Sequence, residues 1–398
     1  MRAFGSDVRK PTLVAVVDLI RERGTVSRVE LAEATGLTQT SMTNAIRKLS
    51  EFGFVREAGK ERISRGTPRR LLRLQPDACY MVGVQFDRFA SVGVLVDLGG
   101  RIVIRRELPV VGARDPDEAL PELTEAVSDM IDASGVPRTK VRGIGLATYG
   151  PQDRDAGVLL TPQPTPAWRG YPLAATLSDA TGLPVVIEND ATAAGIGVQA
   201  LGGASSSFAV VFMAGGIGGG VIVDGNPYRG ATSNGVELGH ITVDPNGPAC
   251  ACGNYGCLDN LSGPRAISAR ALAHPSLGSR LALGEDELAN FLAVGRAGVA
   301  GDADAAALLE TSIRHMATAA VTLVNMFDVG EVVLAGGAFT GFGGRYRDAI
   351  QDRLDRSVFV RHVHDVKVRL AERPEDAAAF GAAMVLLRSL LEAPGSAG

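Results

Sequence analysis

This sequence of 398 residues has no long hydrophobic run. Nothing in it approaches the ~18 consecutive apolar residues of a membrane-spanning helix. The N-terminus, with Arg2, Asp7, Arg9 and Lys10, lacks the apolar segment of a secretory leader. A cytoplasmic location is therefore expected, where thiols stay reduced. Cysteine is scarce, four residues in all, and that setting excludes a disulfide-stapled scaffold. Aromatic residues reach only 5%, with a single tryptophan, and there are five lysines against 35 arginines. Such an excess looks like a genome-wide bias, so the placement of arginines carries more information than their number. What remains, 46% hydrophobic and 21% charged residues, is the composition of a soluble globular protein. The length exceeds one ordinary core and predicts roughly two to three domains.

The net charge of −4 is unevenly spread. Residues 1–75 hold 15 Lys and Arg against 8 Asp and Glu, a balance of +7, while the remainder carries −11. A basic head on an acidic body predicts that only the head meets a polyanion. Leu13, Val16, Val17, Leu19 and Ile20 form a helical stripe over residues 12–23. Ser27-Arg28-Val29-Glu30 is a capping box for a second helix ending near Thr35, and Gly36 turns the chain after it. Thr38 caps a third helix whose Met42, Ile46 and Leu49 face inward. Ala32-x3-Gly36-x5-Met42 is helix-turn-helix spacing: a small residue where two helices touch, a glycine in the turn, an apolar anchor behind.

Gln39, Thr40, Ser41, Thr43, Asn44, Arg47 and Lys48 are left on the outer face of the third helix. These hydrogen-bonding side chains suit the major groove of double-stranded DNA. Arg65-Gly66-Thr67-Pro68-Arg69-Arg70 follows the apolar Phe52, Phe54 and Val55. It reads as a basic wing, with Arg65 and Arg69 touching phosphate or the minor groove. The alternative is a three-helix protein-interaction module with a solvated basic loop. Charge sign, turn spacing and the polar helix face together favour DNA.

Three of the four cysteines fall in one string with a histidine, His240-x9-Cys250-x-Cys252-x4-Cys257. One imidazole and three thiolates in so short a stretch are a ligand set for a closed, tetrahedral Zn²⁺ site. Pro245, Asn246, Gly247, Pro248, Gly253, Asn254 and Gly256 are turn formers able to bend a loop around an ion. Two other readings are disulfides, which need an oxidising compartment and for which Cys250 and Cys252 are too close in sequence to pair readily, and four unrelated buried side chains, which the density of the string disfavours. A closed site is structural: it holds a loop and says nothing of function.

From Cys79 the period changes to that of strands. Tyr80–Phe86 and Val92–Asp97 recur as Phe208–Met213 and Gly220–Gly225, with Val-Leu-Val-Asp and Val-Ile-Val-Asp ending the copies. Two α/β lobes of like topology with a ligand cleft between them are expected. Residues 115–134, 304–325 and 375–392 read as amphipathic helices with core-facing apolar sides, and residues 393–398 as a frayed end.

Glu237-x-Gly239-His240, then Cys250-x-Cys252-Gly253-x-x-Gly256-Cys257, together with Glu188-Asn189-Asp190-Ala191, resembles the ROK family from about residue 79 onward. That family joins bacterial sugar kinases and sugar-responsive repressors on a two-lobed, actin-like (RNase H-like) α/β fold. With a winged helix-turn-helix in front, the whole chain resembles the family's regulators of the NagC, Mlc and xylose-repressor type. The resemblance implies three units: a DNA-binding domain over 1–75, an N-terminal lobe over 76–195 and a C-terminal lobe with the zinc loop over 196–398. It leaves room for the final helix to return to the first lobe.

In the family's kinases the first strand-turn carries Asp-x-Gly-Gly-Thr, where this chain has Gln85-Phe86-Asp87-Arg88-Phe89. Phosphoryl transfer rests on positioning and charge neutralisation, and these side chains obstruct phosphate. In the second loop, Ala214 to Gly220, Gly215 replaces the family's threonine; Gly336-Gly337 remains in a third. The surviving glycines read more readily as tight strand turns than as a phosphate site. No catalytic residue is therefore assigned, and Asp190 stands at the position of the kinases' general base.

For sugar binding the resemblance implies Asn189, Asp190, Glu237 and His240, the last with one ring nitrogen on zinc and the other on sugar. Asp259 stands where the family has glutamate; one methylene shorter, it reaches a different hydroxyl or none. Helix capping is the alternative role for Asn189, Asp190 and Glu237. In Thr148-Tyr149-Gly150-Pro151, Tyr149 replaces a usual proline. Trp168 either closes over a sugar or anchors its loop.

The expected function is a sugar-responsive transcriptional regulator, a repressor. It would bind a near-palindromic operator as a homodimer or homotetramer, with a sugar or sugar phosphate as effector. Its rival is an ATP-dependent sugar kinase with an added DNA-binding head; a third reading is a regulator answering to a protein or to no ligand.

Overall fold

The computed structural model describes residues 12–61, 69–202 and 204–392. The head holds α1 (Thr12–Arg23), β1 (Val26–Ser27), α2 (Arg28–Thr35), α3 (Gln39–Glu51), β2 (Val55–Glu61) and β3 (Arg69–Leu74). Each helix boundary has a local cause. The Ser27 hydroxyl accepts from the Glu30 amide and the Glu30 carboxylate accepts from the Ser27 amide, both halves of the capping box. Gly36 ends α2 at φ 67°, a conformation that favours glycine. Thr38 caps α3 through the amide of Ser41. Met42, Ile46 and Leu49 are buried with Val16, Val17, Ile20 and Leu31, and each such burial contributes about 1.5–3 kcal/mol. The strands pair antiparallel in the order β1-β3-β2, completing a winged helix-turn-helix. Of the basic segment, Arg65 to Pro68 lie outside the described residues, as do 393–398.

The first lobe contains β4 (Tyr80–Phe86), β5 (Ser91–Asp97), β6 (Ile102–Leu108), α4 (Pro116–Ala133), β7 (Val141–Thr148), the hairpin β8 (Gln152–Asp153) and β9 (Val158–Leu159), α5 (Leu173–Thr181) and β10 (Val185–Asn189). After α6 (Asp190–Ala200) come β11 (Phe208–Met213), β12 (Ile217–Val223), β13 (Asn226–Pro227), α7 (Leu258–Ser262), α8 (Pro264–Ala273), α9 (Leu277–Arg280), α10 (Glu287–Val299) and α11 (Ala303–Phe327). β14 (Glu331–Ala335), α12 (Gly343–Ser357), β15 (Lys367–Leu370) and α13 (Ala377–Glu392) follow.

The two five-stranded sheets run β10-β7-β4-β5-β6 and β15-β14-β11-β12-β13. In each, three antiparallel strands are extended by two parallel ones, so the duplication legible in the strands holds for the whole topology. One strand begins earlier than expected. β12 starts at Ile217, and Gly218, Gly219 and Gly220 lie inside it. A Cβ on Gly220 would meet the Ala191 carbonyl oxygen at 2.4 Å. Gly218 and Gly220 admit Ala191 at the start of α6, and Gly219 admits Val236 and Leu238 on the other side of the strand.

Helices α6 and α13 pack against each other between the sheets. Their small residues make that possible: a Cβ on Gly381 of α13 would sit 1.7 Å from the Ala193 carbonyl oxygen of α6, and one on Gly145 of β7 1.8 Å from the Ala382 carbonyl oxygen. Helix α13 thus returns to the sheet of the first lobe, against β4 and β7. The head rests on the same layer through α1, which contacts both α13 and α6. Among the described residues, no helix is long and apolar enough to cross a membrane.

Candidate functional site

Three parallel strands of the first sheet end level with one another. Phe86 of β4 pairs with Thr148 of β7, and Thr148 pairs with Asn189 of β10. The next residue of each strand, Asp87, Tyr149 and Asp190, therefore stands side by side on the carboxyl edge of the sheet. Open α/β sheets bind ligands at that edge.

Asp190 is half-buried, and its Oδ1 accepts from the amide of Ala191 at 2.7 Å. Burial pushes its carboxyl up to about 8, and the carboxylates of Asp87 and Glu237 push in the same direction. Asn189 caps α6: its Oδ1 accepts from the Thr192 amide at 3.0 Å. Capping, the alternative role, thus occupies its carbonyl oxygen and leaves the amide nitrogen to offer a ligand. Glu188, fully buried, takes Arg229 at 2.7 Å and Arg154 at 3.3 Å. These arginines had no signal in the sequence, since the partners stand far apart along the chain.

The second lobe supplies the facing wall. Asp259, at the start of α7, accepts from the Ile217 amide at 2.9 Å. A Cβ on Gly216 would lie 3.4 Å from Asp259 Oδ1, and one on Gly218 3.6 Å from Asp190 Oδ1, so the start of β12 runs between the two acids. Glu237 and His240 are exposed beside them. Although the Glu237 residue reaches solvent, desolvation of its carboxyl by the surrounding protein holds it above the ordinary range, opposed by His240. Burial does the same for Asp259, opposed by the Ile217 amide and then His240. The fold therefore gathers Asn189, Asp190, Glu237, His240 and Asp259 around one cleft. Trp168 is not part of it. Fully buried, it donates from its indole to the Arg114 carbonyl at 2.9 Å and packs edge-on to Phe86.

Where the strand-turn of a kinase would cradle phosphate, Asp87 is buried and its Oδ1 accepts from the amides of Phe89 at 2.8 Å and Ala90 at 3.3 Å. The Gly215 amide of the second lobe also donates to it. A Cβ on Gly215 would sit 3.2 Å from both Asp87 oxygens and 3.0 Å from the Phe89 ring. With Asp87 and Phe89 in these positions, a side chain at residue 215 would be tightly crowded.

The ligand atoms of His240, Cys250, Cys252 and Cys257 lie within 4.8 Å of one another. Cys250 Sγ is 3.6 Å from His240 Nδ1, and Cys252 Sγ is 3.7 Å from Cys257 Sγ. A tetrahedral zinc with Zn–S of about 2.3 Å and Zn–N of about 2.0 Å needs such separations. The donor set fits the ion, with Nδ1 as the histidine ligand. Cys79 is buried elsewhere in the core.

In the head, Gln39, Thr40, Ser41, Thr43, Asn44 and Arg47 are exposed on α3. Lys48 is half-buried, its ammonium 5.7 Å from the Phe52 ring centre. Arg69 is half-buried at the start of β3, and the exposed Arg70 pairs with Glu57 at 2.7 Å.

The family model for ROK matches residues 82–389. The chain belongs to the ROK family. The match leaves out the head, yet one relative spans both parts: a putative xylose repressor from Caldicellulosiruptor, 24% identical over 97% of this chain and 98% of its own length. Among solved structures, a ROK transcriptional regulator described as a homologue of the Escherichia coli MLC protein shares the fold, with a TM-score of 0.73 over 97% of both chains at 24% identity. The ROK hexokinase of Thermus thermophilus, 29% identical with a TM-score of 0.62, is covered to 100% but matches only 79% of this chain.

Proposed function

We propose that this ROK protein is a sugar-responsive, DNA-binding transcriptional regulator, a repressor, acting in the cytoplasm. The observation that carries the reading is the polar, acid-free outer face of α3, Gln39 to Lys48, on a winged helix-turn-helix joined to a sugar-kinase-like body. The full-length relationship to a putative xylose repressor supports the same assignment. The three units are the head over 1–75 and the lobes over 76–195 and 196–398. As a homodimer or homotetramer the protein would present two α3 helices to successive major grooves of a near-palindromic operator, with Arg65 and Arg69 on the backbone.

The effector is a sugar or sugar phosphate held by Asn189, Asp190, Glu237 and His240. Asp259 acts through the Ile217 amide it already holds and through the rim of the cleft. Zn²⁺ on His240, Cys250, Cys252 and Cys257 supplies a rigid loop and orients the imidazole, whose Nε2 faces the sugar. Asp87 fills the phosphate cradle, so Asp190 binds a hydroxyl with no phosphate to receive it, and no kinase activity is expected. The sugar acts only through its different affinity for DNA-competent and incompetent states. Selection of bound DNA from a random pool, repeated with D-xylose, D-glucose and N-acetylglucosamine and its 6-phosphate, tests the reading. A selected palindrome whose occupancy shifts with one sugar supports it. Recovery of no sequence overturns the regulator, and ADP release with any of these sugars overturns the loss of catalysis.

A further inference from the structure

Tyr149 is the middle member of the row formed with Asp87 and Asp190, because its strand lies between theirs in the sheet. Its phenolic oxygen is buried and has no hydrogen-bond partner among the described residues. A tyrosine hydroxyl inside a protein ordinarily finds one, and leaving it unpaired is costly. The ring cannot swing away to solve the problem. It stacks on Phe86 at 6.4 Å with an interplanar angle of 12°, and Phe86 is braced edge-on by Trp168 at 5.1 Å. The indole is in turn tied to the Arg114 carbonyl. The aim of the hydroxyl is thus set by a rigid aromatic ladder. Burial holds the phenol above its ordinary range, with the Asp87 and Asp190 carboxylates adding to the effect, so it stays a donor.

We propose that Tyr149 is a sugar-contacting residue of the cleft, donating its phenolic proton to the same ligand hydroxyl that Asp190 binds. A sugar hydroxyl can accept one hydrogen bond and donate another at once. Asp190 accepts a hydrogen bond from the hydroxyl while Tyr149 donates one to its oxygen. The pair then recognises a free hydroxyl rather than a phosphate ester at that end of the ligand, since three carboxyl groups, of Asp87, Asp190 and Glu237, cluster there. Arg88, the cation that acts on Asp87 and Tyr149, lies 5.2 Å from the Phe89 ring centre. The chemistry selected is that of an unphosphorylated monosaccharide. The assignment rests on the sugar-cleft reading above.

The test is calorimetric titration of the full-length, zinc-loaded protein and of Tyr149→Phe with D-xylose, D-glucose, N-acetylglucosamine and N-acetylglucosamine 6-phosphate. Phenylalanine keeps the stack on Phe86 and removes only the oxygen. The expected result is about a 10-fold weaker Kd for the free sugar that binds, with a melting temperature in the absence of sugar that is unchanged or higher. A hydroxyl reserved for a ligand leaves the empty fold no less stable when removed, whereas a structural one lowers it. Unchanged sugar affinity in Tyr149→Phe overturns the contact, as does a fall in unliganded melting temperature with proportionate loss of binding. Preference for the 6-phosphate over the free sugar overturns the ligand class. Failure of the wild type to bind any of the four overturns the sugar reading itself, and this assignment with it.

Discussion

Arg388 of the last helix stands 3.7 Å from Asp18 of the first, and donates to Gln199 at 2.9 Å. Asp18 also takes Arg21 at 2.6 Å, and Arg21 reaches the Leu98 carbonyl in the first lobe. Gln199 lies near the end of α6, the helix that begins at Asp190 in the cleft. One helix therefore runs from the candidate sugar site to the contact with the head. Arg388→Ala removes a mostly buried cation and should cost about 1–3 kcal/mol of head docking. Amide exchange in α1 should rise by one to two orders of magnitude while zinc content stays at one per chain. Unchanged exchange would refute the link.

Zinc content offers a second check. Cys252→Ala leaves three ligands, and a closed site loses its ion readily without the fourth. Atomic absorption should fall from one zinc per chain toward none. The melting temperature should drop by several degrees, because the loop from His240 to Cys257 has turns and few strands to hold it.

Asp190 makes stability depend on pH with a definite sign. Its folded-state value of about 8 lies above the ordinary 3.8, so the folded protein holds a proton the unfolded chain releases. Stability therefore falls as pH rises between those values and levels off above about 8. Asp190→Asn should flatten this slope and raise the melting temperature at pH 7 by about 2–4 °C. Thermal scans from pH 5 to 9 on both proteins measure it.

Gly215→Thr restores the family's threonine and should fail to restore catalysis. Its Cβ would stand 3.0 Å from the Phe89 ring and 3.2 Å from the Asp87 carboxylate. Such overpacking costs about 1–3 kcal/mol, visible as a lower denaturant midpoint, with no ADP released in a coupled assay over glucose and xylose.

Arg47 is exposed on α3, and its ion-pair contact with Glu51 is long at 3.9 Å. Arg47→Ala should leave the melting temperature within about 1 °C, since surface changes of this kind are near neutral. Operator affinity should fall by roughly 10-fold, on the scale of one lost base or phosphate contact. Fluorescence anisotropy on the selected operator gives the number.

Much of this was local and therefore readable along the chain. The capping box at Ser27 and Glu30, the turn at Gly36 and the inward row of Met42, Ile46 and Leu49 each involve neighbours within one or two helical turns. The His240 to Cys257 string is short enough that its ligands must meet. The strands from Tyr80 and Phe208 were likewise visible, because burial on both faces leaves a continuous apolar run. Gly218 and Gly219 were read as loop, because what they admit, Ala191 of α6 on one side and Val236 and Leu238 on the other, lies far along the chain.

The sequence alone determined that a basic reading head precedes a duplicated α/β body with a thiolate-rich loop, since patterning, capping and ligand spacing are short-range physics. Only the tertiary structure decided that Asp87, Tyr149 and Asp190 stand in a row, that Asp87 accepts from the Gly215 amide of the second lobe, and that Arg388 ties the end of α6 to Asp18. Those relations depend on strand register and on helices packed through glycine and alanine, where partners distant in the chain meet at contact distance.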